Sequence, residues 1–408
     1  MTSRSARSFD LQWSELAEIG RHAQTGGYRR YALTREDHDL REWFAGEATS
    51  RRLDLTLDRM GNQWAWWGDP DTTPGVVTGS HLDSVPDGGA YDGPLGVVSA
   101  FAALDRLRDK GFQPHRPLGV VNFCDEEGAR FGVACAGSRV ITGALVPERA
   151  LALRDGDGVT MAEALRAAGR DPELPGPDPE TLRRVGAFVE LHIEQGRGLI
   201  DLDQPVALGT DIWPHGRWRL DFPGEANHAG TTRLADRRDA MIGLASTVLA
   251  ARSAATRHGC VATVGKTMIV PGGVNAIPSA ATGWLDARGA DETAVRRTVR
   301  EVTEAAADWG ALVTEESWTA TTRFDVGLLA GLRRVLPAAP LLGTGAGHDA
   351  GILAAAGTPT GMIFVRNPTG VSHSPAEHAE RDDCLAGVEA LTAVLTELAG
   401  TGSTGERP

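Results

Sequence analysis

PGVVTGSHLDSVPDGGAYDGPLGVVSAFAALDRLRDKGFQPHRPLGVVNFCDEEG, residues 74–128, carries two short apolar runs on either side of a segment with helical spacing. PGVVTGS (74–80) and PLGVVNFC (117–124) are nearly continuous rather than alternating, the pattern of strands covered on both faces. Between them Leu95, Val98, Phe101, Ala102 and Leu104 recur at helical intervals, and the pattern stops at Gly111. Strand, crossover helix and second buried strand make a parallel α/β unit. GAFVELHI (186–193) and GMIFVRN (361–367) have the same character and read as further strands of that sheet.

The middle of the chain reads differently. RWRLDFPG (217–224) alternates, residues 236–259 and 291–310 have helical spacing, and CVATVGKTMIV, SAATGWLDARG and ALVTEESWTA read as strands. In order this is β-α-β-β-α-β, the split pattern of a ferredoxin-like module. The predicted organisation is a first domain over 1–210, an inserted α+β domain over 211–320, and the first domain resuming over 321–408. RDPELPGPDPETLRR, rich in Pro and Asp, reads as a solvated loop of the first domain.

A chain of 408 residues exceeds what one core usually serves, in keeping with two domains. Its net charge of −13 disfavours nucleic acid or an anionic membrane as partner, because both call for a basic patch. Cys124, Cys135, Cys260 and Cys384 are scattered without CxxC spacing, which points to a reducing compartment rather than a disulfide framework. MTSRSARSFDLQW lacks the apolar stretch of a signal peptide, and no uninterrupted apolar run reaches the roughly 20 residues of a membrane helix. The expected location is cytoplasmic.

Chemistry gathers at the strand ends. His81 and Asp83 follow the first strand and Asp92 begins the next helix; Asp125, Glu126 and Glu127 follow the second strand; His192, Glu194 and Gln195 end the third; His373 lies in the loop after the fourth. Open parallel sheets place their functional crevice at the carboxyl ends of strands, so these groups can converge. Two adjacent buried carboxylates repel unless cations neutralise them, and Glu126–Glu127 beside three imidazoles therefore suggests divalent metal. A carboxylate shared between two ions, each completed by nitrogen and oxygen ligands, is the design of a two-metal hydrolase. Asp87, Glu194 and His378 read instead as ordinary solvated or locally satisfied groups.

With GSHLDSVPDGGAYDG, CDEEGARFG, ELHIEQG, GEANHAGTT, GGVNAIP, LDARGAD, GAGHDA and GVSHSPAEH, the chain resembles the M20-type metal-dependent amidohydrolases over essentially its whole length. Within them it is similar to the branch of N-carbamoyl-L-amino-acid hydrolases and allantoate amidohydrolases. The resemblance implies a mostly parallel di-metal catalytic domain with an inserted ferredoxin-like lid and dimerisation domain. It makes His81, Asp92 and His192 the ligands of one ion and Asp92, Glu127 and His373 those of the other. Zinc or manganese is expected, with cobalt or nickel also suited to mixed His and carboxylate ligands. Glu126 is then the general base that takes a proton from the attacking water and returns it to the leaving nitrogen. Asp83 is expected to hold the second ring N–H of His81.

On the substrate side the resemblance assigns His228 to the oxyanion in the partner subunit's site of a homodimer, and Asn275 and Arg288 to the substrate's carboxylate and amide. Arg217 is the next candidate for that carboxylate, Gln195 is placed to read the ureido group, and Gly370 to leave backbone open to the substrate. Peptidases similar to this chain usually carry a carboxylate where His192 stands, so HIEQG favours ureido cleavage over aminoacylase or peptidase activity. An N-carbamoyl-β-alanine hydrolase, and a binding protein with a dead site, are the remaining alternatives. Arg233-Leu234, where relatives often have Pro-Met, and WPHGRW with Trp213, His215 and Trp218 depart from the common pattern; they bear on side-chain specificity or on hinge packing.

Overall fold

The computed structural model describes residues 4–400. The chain forms two compact units, one running to Thr210 and comprising also Arg323–Leu342 and the chain from Gly347, the other Asp211–Thr322 with Gly343–Ala346.

The first unit is built on a nine-stranded sheet. Its centre is four parallel strands in the order Leu118–Phe123, Gly75–His81, Val185–Ile193, Thr360–Val365, almost wholly buried, as continuous apolar runs require. The register pairs His81 with Phe123 and Val365 with Ile193, so the strands end side by side and deliver their following loops to one edge. Gly79 permits this approach: a Cβ there would lie 2.0 Å from the carbonyl oxygen of Val121. The helix Pro94–Asp109 starts on Pro94, where a missing N–H costs nothing, and buries most of its length in the core with Phe101, Leu104 and Leu107.

Antiparallel strands flank this centre. Gln63–Trp67 pairs with Leu118–Phe123 and in turn with Asp54–Leu57, while Val206–Ile212 pairs with Thr360–Val365. These strands, and the helices Arg4–Leu16 and Arg35–Ser50, were not read from the sequence; Asp54–Leu57 is exposed throughout and gives no burial pattern. The supposed solvated loop RDPELPGPDPETLRR is corrected as well, since it ends in the helix Pro179–Arg184. Buried Asp178 caps that helix, accepting from Thr181 N (3.1 Å) and Oγ1 (3.0 Å), and so ties down what composition alone suggests is free.

Asp58 anchors the approach to the second parallel strand. Its buried carboxylate accepts from Gly61 N (2.7 Å), Asn62 N (2.9 Å), Asn62 Nδ2 (2.7 Å) and Trp64 Nε1 (2.9 Å), and Asn62 Oδ1 in turn accepts from Cys124 N (2.8 Å). Asp58→Ala strands three donors in a dry interior, since Gly61 N keeps its 3.0 Å bond to Asp58 O, at about 1–3 kcal/mol for each one left unsatisfied. We expect a loss of at least about 3 kcal/mol in urea unfolding, and a loss under about 1 kcal/mol would show that water replaces the carboxylate.

The second unit holds a four-stranded antiparallel sheet in the order Leu312–Thr319, His215–Pro223, Ala280–Arg288, Val261–Val270. With the helices Ala240–His258 and Glu292–Ala307, its chain order is the β-α-β-β-α-β read from the alternation. Trp218, Leu220 and Phe222 alternate inward onto Leu244, Val295 and Val302, which fixes this core. Trp218 therefore packs inside the unit, near Trp318 with ring centroids 6.1 Å apart, and is no hinge residue. Gly343–Ala346 joins the unit through bonds from Trp213 N to Thr344 O (2.7 Å) and from Arg288 Nη1 to Gly345 O (2.8 Å). Among the described residues no helix is long and apolar enough to cross a membrane, and all four cysteines are free.

Candidate active site

His81 ends its strand with the ring buried, and Nδ1 lies 3.1 Å from the main-chain oxygen of Asp83. A carbonyl can only accept, so Nδ1 carries the proton and Nε2 presents a lone pair. His192 repeats the arrangement, with Nδ1 2.9 Å from the oxygen of Ile193. Asp83 thus orients His81 through its backbone, and the expectation that its carboxylate would do so is corrected: the carboxylate oxygen is 3.5 Å away. That carboxylate accepts instead from Glu126 N (3.2 Å) and Glu127 N (3.0 Å), holding the acidic pair in place after its strand. Gly93 keeps the wall of the site clear, since a Cβ there would lie 2.4 Å from the His81 ring.

Two groups meet at Asp92. Nε2 of His192 and of His81 lie 3.1 and 3.6 Å from Asp92 Oδ1, and His373 Nε2 lies 3.5 Å from Asp92 Oδ2 and 3.7 Å from Glu127 Oε2. The sets His81, Asp92, His192 and Asp92, Glu127, His373 are each close enough to hold one ion. The fit to metal rests on unpartnered atoms. His81 Nε2, His192 Nε2 and Glu127 Oε1 are buried without any hydrogen bond, and two imidazole lone pairs aimed at a carboxylate oxygen repel unless a cation lies between them.

Charge is costly here. Burial raises Glu127 to about 8, with Asp92 adding to the shift. Burial also pushes Glu126 well above the usual carboxylate range, against the pull of His81 and with Glu127, Asp349 and Asp83 adding to the rise. For His81 burial opposes protonation, but Glu126, Asp83 and Asp92 together hold its pKa well above the ordinary imidazole value. Such a cluster takes up protons unless a divalent ion supplies the positive charge. Glu126 Oε2 is 3.7 Å from His81 Nε2 and its Oε1 accepts from the thiol of Cys135 at 3.3 Å, beside the sets at Asp92 but in neither.

The surroundings contain residues to which the sequence reading gave no role. Glu377 Oε1 accepts from Tyr91 N and Asp92 N, both at 2.9 Å, and its Oε2 accepts from Ser372 Oγ at 3.2 Å. His348 stacks edge-on against His192, ring centroids 4.4 Å apart, with Nε2 buried and unpartnered. Glu190, on the His192 strand, accepts from Ser80 Oγ (2.7 Å) and Ala350 N (3.1 Å), and Ser138 Oγ donates to buried Asp349. His348, Asp349 and Glu377 all sit inside the quoted motifs GAGHDA and GVSHSPAEH, which was the available signal.

Gln195 Nε2 donates to Asp92 Oδ2 (2.8 Å) and Ser372 Oγ (3.1 Å), while its Oε1 is buried without a partner. Gly370 is corrected: its amide donates to Asn367 Oδ1 (3.0 Å), φ is +64°, and a Cβ would lie 2.5 Å from Arg197 Cγ, so the glycine serves the loop rather than an open backbone. Glu194 Oε1 and Oε2 accept from Gly198 N (2.6 Å) and Leu199 N (2.8 Å), and Asp87 pairs with Arg29, both local roles as read; His378 is exposed.

The remaining candidates lie in the second unit. His228 and Ala276 pair in a short ribbon, and Ala229 N donates to Asn275 O (2.9 Å), so His228 and Asn275 are brought together. Gly230 N donates to His228 Nδ1 (3.0 Å), which places the neutral ring's proton on Nε2 and makes that nitrogen a donor. Arg288 departs from a free carboxylate fork: Nε and Nη2 donate to Asp286 at 2.6 and 2.9 Å. Alternation puts Asp286 and Arg288 on one face of their strand, and the register sets Arg217, 63% exposed, opposite Asp286 with Nε 3.6 Å away.

A mixed α/β sheet whose parallel strand ends gather two His/carboxylate sets around one aspartate defines a metal-dependent hydrolase. The comparisons agree. Residues 77–397 match the peptidase family M20/M25/M40. The N-carbamoyl-L-amino acid amidohydrolase of Geobacillus stearothermophilus is 37% identical over 407 residues, covering 94% of this chain and 96% of that protein. The allantoate amidohydrolase of Escherichia coli K12 is 31% identical over 387 residues, covering 92% and 93%. The crystal structure of a hydantoinase/carbamoylase family amidase from Burkholderia vietnamiensis superposes with a TM-score of 0.85 at 31% identity, covering 98% and 99%. The chain belongs to the M20/M25/M40 family.

Proposed function

We propose that this chain hydrolyses the C–N bond of a ureido acid, allantoate or an N-carbamoyl-L-amino acid, releasing ammonia and carbon dioxide. The observation that carries this reading is His192, an imidazole at the end of Val185–Ile193 whose Nε2 faces Asp92. Near-full-length relatives that cleave such bonds support it. His81, Asp92 and His192 would hold one divalent ion and Asp92, Glu127 and His373 a second, with zinc or manganese best suited and cobalt or nickel possible. When bound, these ions polarise a carbonyl oxygen and acidify water.

The protein's own residues do the rest. Glu126, beside both sets at Asp92 but in neither, accepts the proton of the attacking water and passes it to the leaving nitrogen. The unpartnered Oε1 of Gln195 accepts from a ureido N–H. His228 of the partner subunit offers its Nε2 proton to the developing oxyanion. Arg288 has five N–H groups and three are engaged, leaving two for a substrate carboxylate, with Asn275 and Arg217 in support.

The test is ammonia release from allantoate, N-carbamoyl-L-amino acids and N-carbamoyl-β-alanine, beside N-acyl amino acids and dipeptides. A ureido acid should be turned over and chelation should stop it; turnover of acyl or peptide bonds alone would leave the aminoacylase or peptidase reading. Glu127 at about 8 holds its proton at neutral pH in metal-free protein, so metal binding displaces it. Metal affinity should therefore rise with pH up to about 8, with proton release seen by titration calorimetry in buffers of different ionisation enthalpy.

The dimer is proposed from the second unit's exposed edge strand Val261–Val270, whose unpaired backbone suits pairing with another copy. Mixing His228→Ala with Glu126→Gln subunits should recover part of the activity that each lacks alone. No recovery despite proven subunit exchange would refute a shared site.

A further inference from the structure

We infer that Cys135 is a positioning residue for the general base, its thiol donating to Glu126 Oε1 so that Oε2 is the oxygen that takes the proton. The inference rests on the proposed role of Glu126. The thiol is buried, and Sγ lies 3.3 Å from Oε1. Oε2, on the other side of the carboxylate, lies 3.7 Å from His81 Nε2 and faces the metal ligands.

The backbone holds this contact rigidly. Cys135 N donates to Glu126 O, Ala136 N to Asp125 O (3.0 Å) and Gly137 N to Cys124 O (3.0 Å), a three-rung stitch between the two segments. Gly137 lets them approach, since a Cβ there would lie 2.3 Å from Asn62 Oδ1 and 2.6 Å from Cys124 O. Cys135 itself adopts φ +56°, a left-handed conformation uncommon for a residue with a side chain. That conformation directs the thiol at the carboxylate as the helix Ala136–Thr142 begins. Glu126 Oε1 has no other hydrogen-bond donor among the described residues, so the thiol supplies the hydrogen bond that fixes that oxygen.

The test compares Cys135→Ala, Cys135→Val and Cys135→Ser in the metal-loaded enzyme. Losing one orienting hydrogen bond is expected to lower kcat about tenfold in Cys135→Ala and Cys135→Val, with KM and metal content unchanged. Cys135→Ser, which keeps a donor without restoring the sulfur's volume, recovers most of that loss. Equal activity in the serine and alanine variants would overturn the inference, because packing would then explain the effect. In a Glu126→Gln background Cys135→Ala adds nothing further, and an undiminished tenfold effect there would also overturn it. Failure of the Glu126 role reads differently: Glu126→Gln alone would keep its turnover, whatever the cysteine variants do.

Discussion

Glu126→Gln is expected to lower kcat by about 10²–10⁴-fold while metal content and thermal stability stay near those of the parent. The substitution keeps the shape of a side chain that is buried beside Cys135 and His81, and removes only its ability to accept and return a proton. Glu126 lies outside the two sets at Asp92, so neither set loses a member. Folding is not penalised, because a neutral amide is cheaper to bury than a carboxylate. Ammonia release under saturating substrate and elemental analysis of the same preparation make the measurement. Retained turnover would move the base elsewhere, and neighbouring Asp125 would be tested next. Asp125 is also buried, with both carboxylate oxygens unpartnered.

Asp92→Ala is expected to remove metal and activity together. One carboxylate serves both sets, Oδ1 toward His81 and His192 and Oδ2 toward His373, and each set would be left with two ligands. Gln195 also loses its 2.8 Å bond to Asp92 Oδ2, while the Nδ1 contacts of His81 and His192 to main-chain oxygens are untouched. Elemental analysis should find less than one ion per chain, with no detectable ureido hydrolysis. Asp92→Ala that still bound two ions would refute the bridging arrangement. His192→Ala is the milder companion, since it leaves the Asp92, Glu127, His373 set whole.

Much of this site was legible before any coordinates. His81, Asp92, Glu127, His192 and His373 stand at or just beyond the ends of buried apolar runs, and a parallel sheet brings such ends together whatever the intervening loops do. The flanking strand Asp54–Leu57 was not read although Leu53–Asp58 alternates apolar and polar residues; the structure leaves all four of its residues exposed, so the alternation there marks no buried face. Asp178 was misread for a related reason: proline and aspartate signal a turn, while their burial depends on what packs over them.

The roles of the supporting residues were the least visible. Asp83 was expected to orient His81 through its carboxylate, and the structure gives that task to its carbonyl and the carboxylate to two backbone amides. Nothing in residue type separates these uses, since both atoms belong to one residue and only the path of the backbone decides between them. Arg288 was the converse case. A salt bridge to Asp286 or Asp291 was the competing sequence reading, and the pairing with Asp286 follows from strand alternation, which sets residues two apart on one face.

The sequence by itself determined the parallel α/β sheet, the inserted β-α-β-β-α-β module and the placing of imidazoles and carboxylates at the sheet's strand ends. Those features follow from periodicity and residue chemistry within short stretches. Only the tertiary structure decided that Glu377 holds the backbone at Asp92, that His348 lies on His192, that Asp58 braces Asn62 and so Cys124, and that the Cys135 thiol meets Glu126. The physical reason is range. A strand's burial is written along its own residues, whereas a hydrogen bond between Glu377 and Asp92 needs every intervening element packed to within a few tenths of an ångström, and no local pattern encodes that.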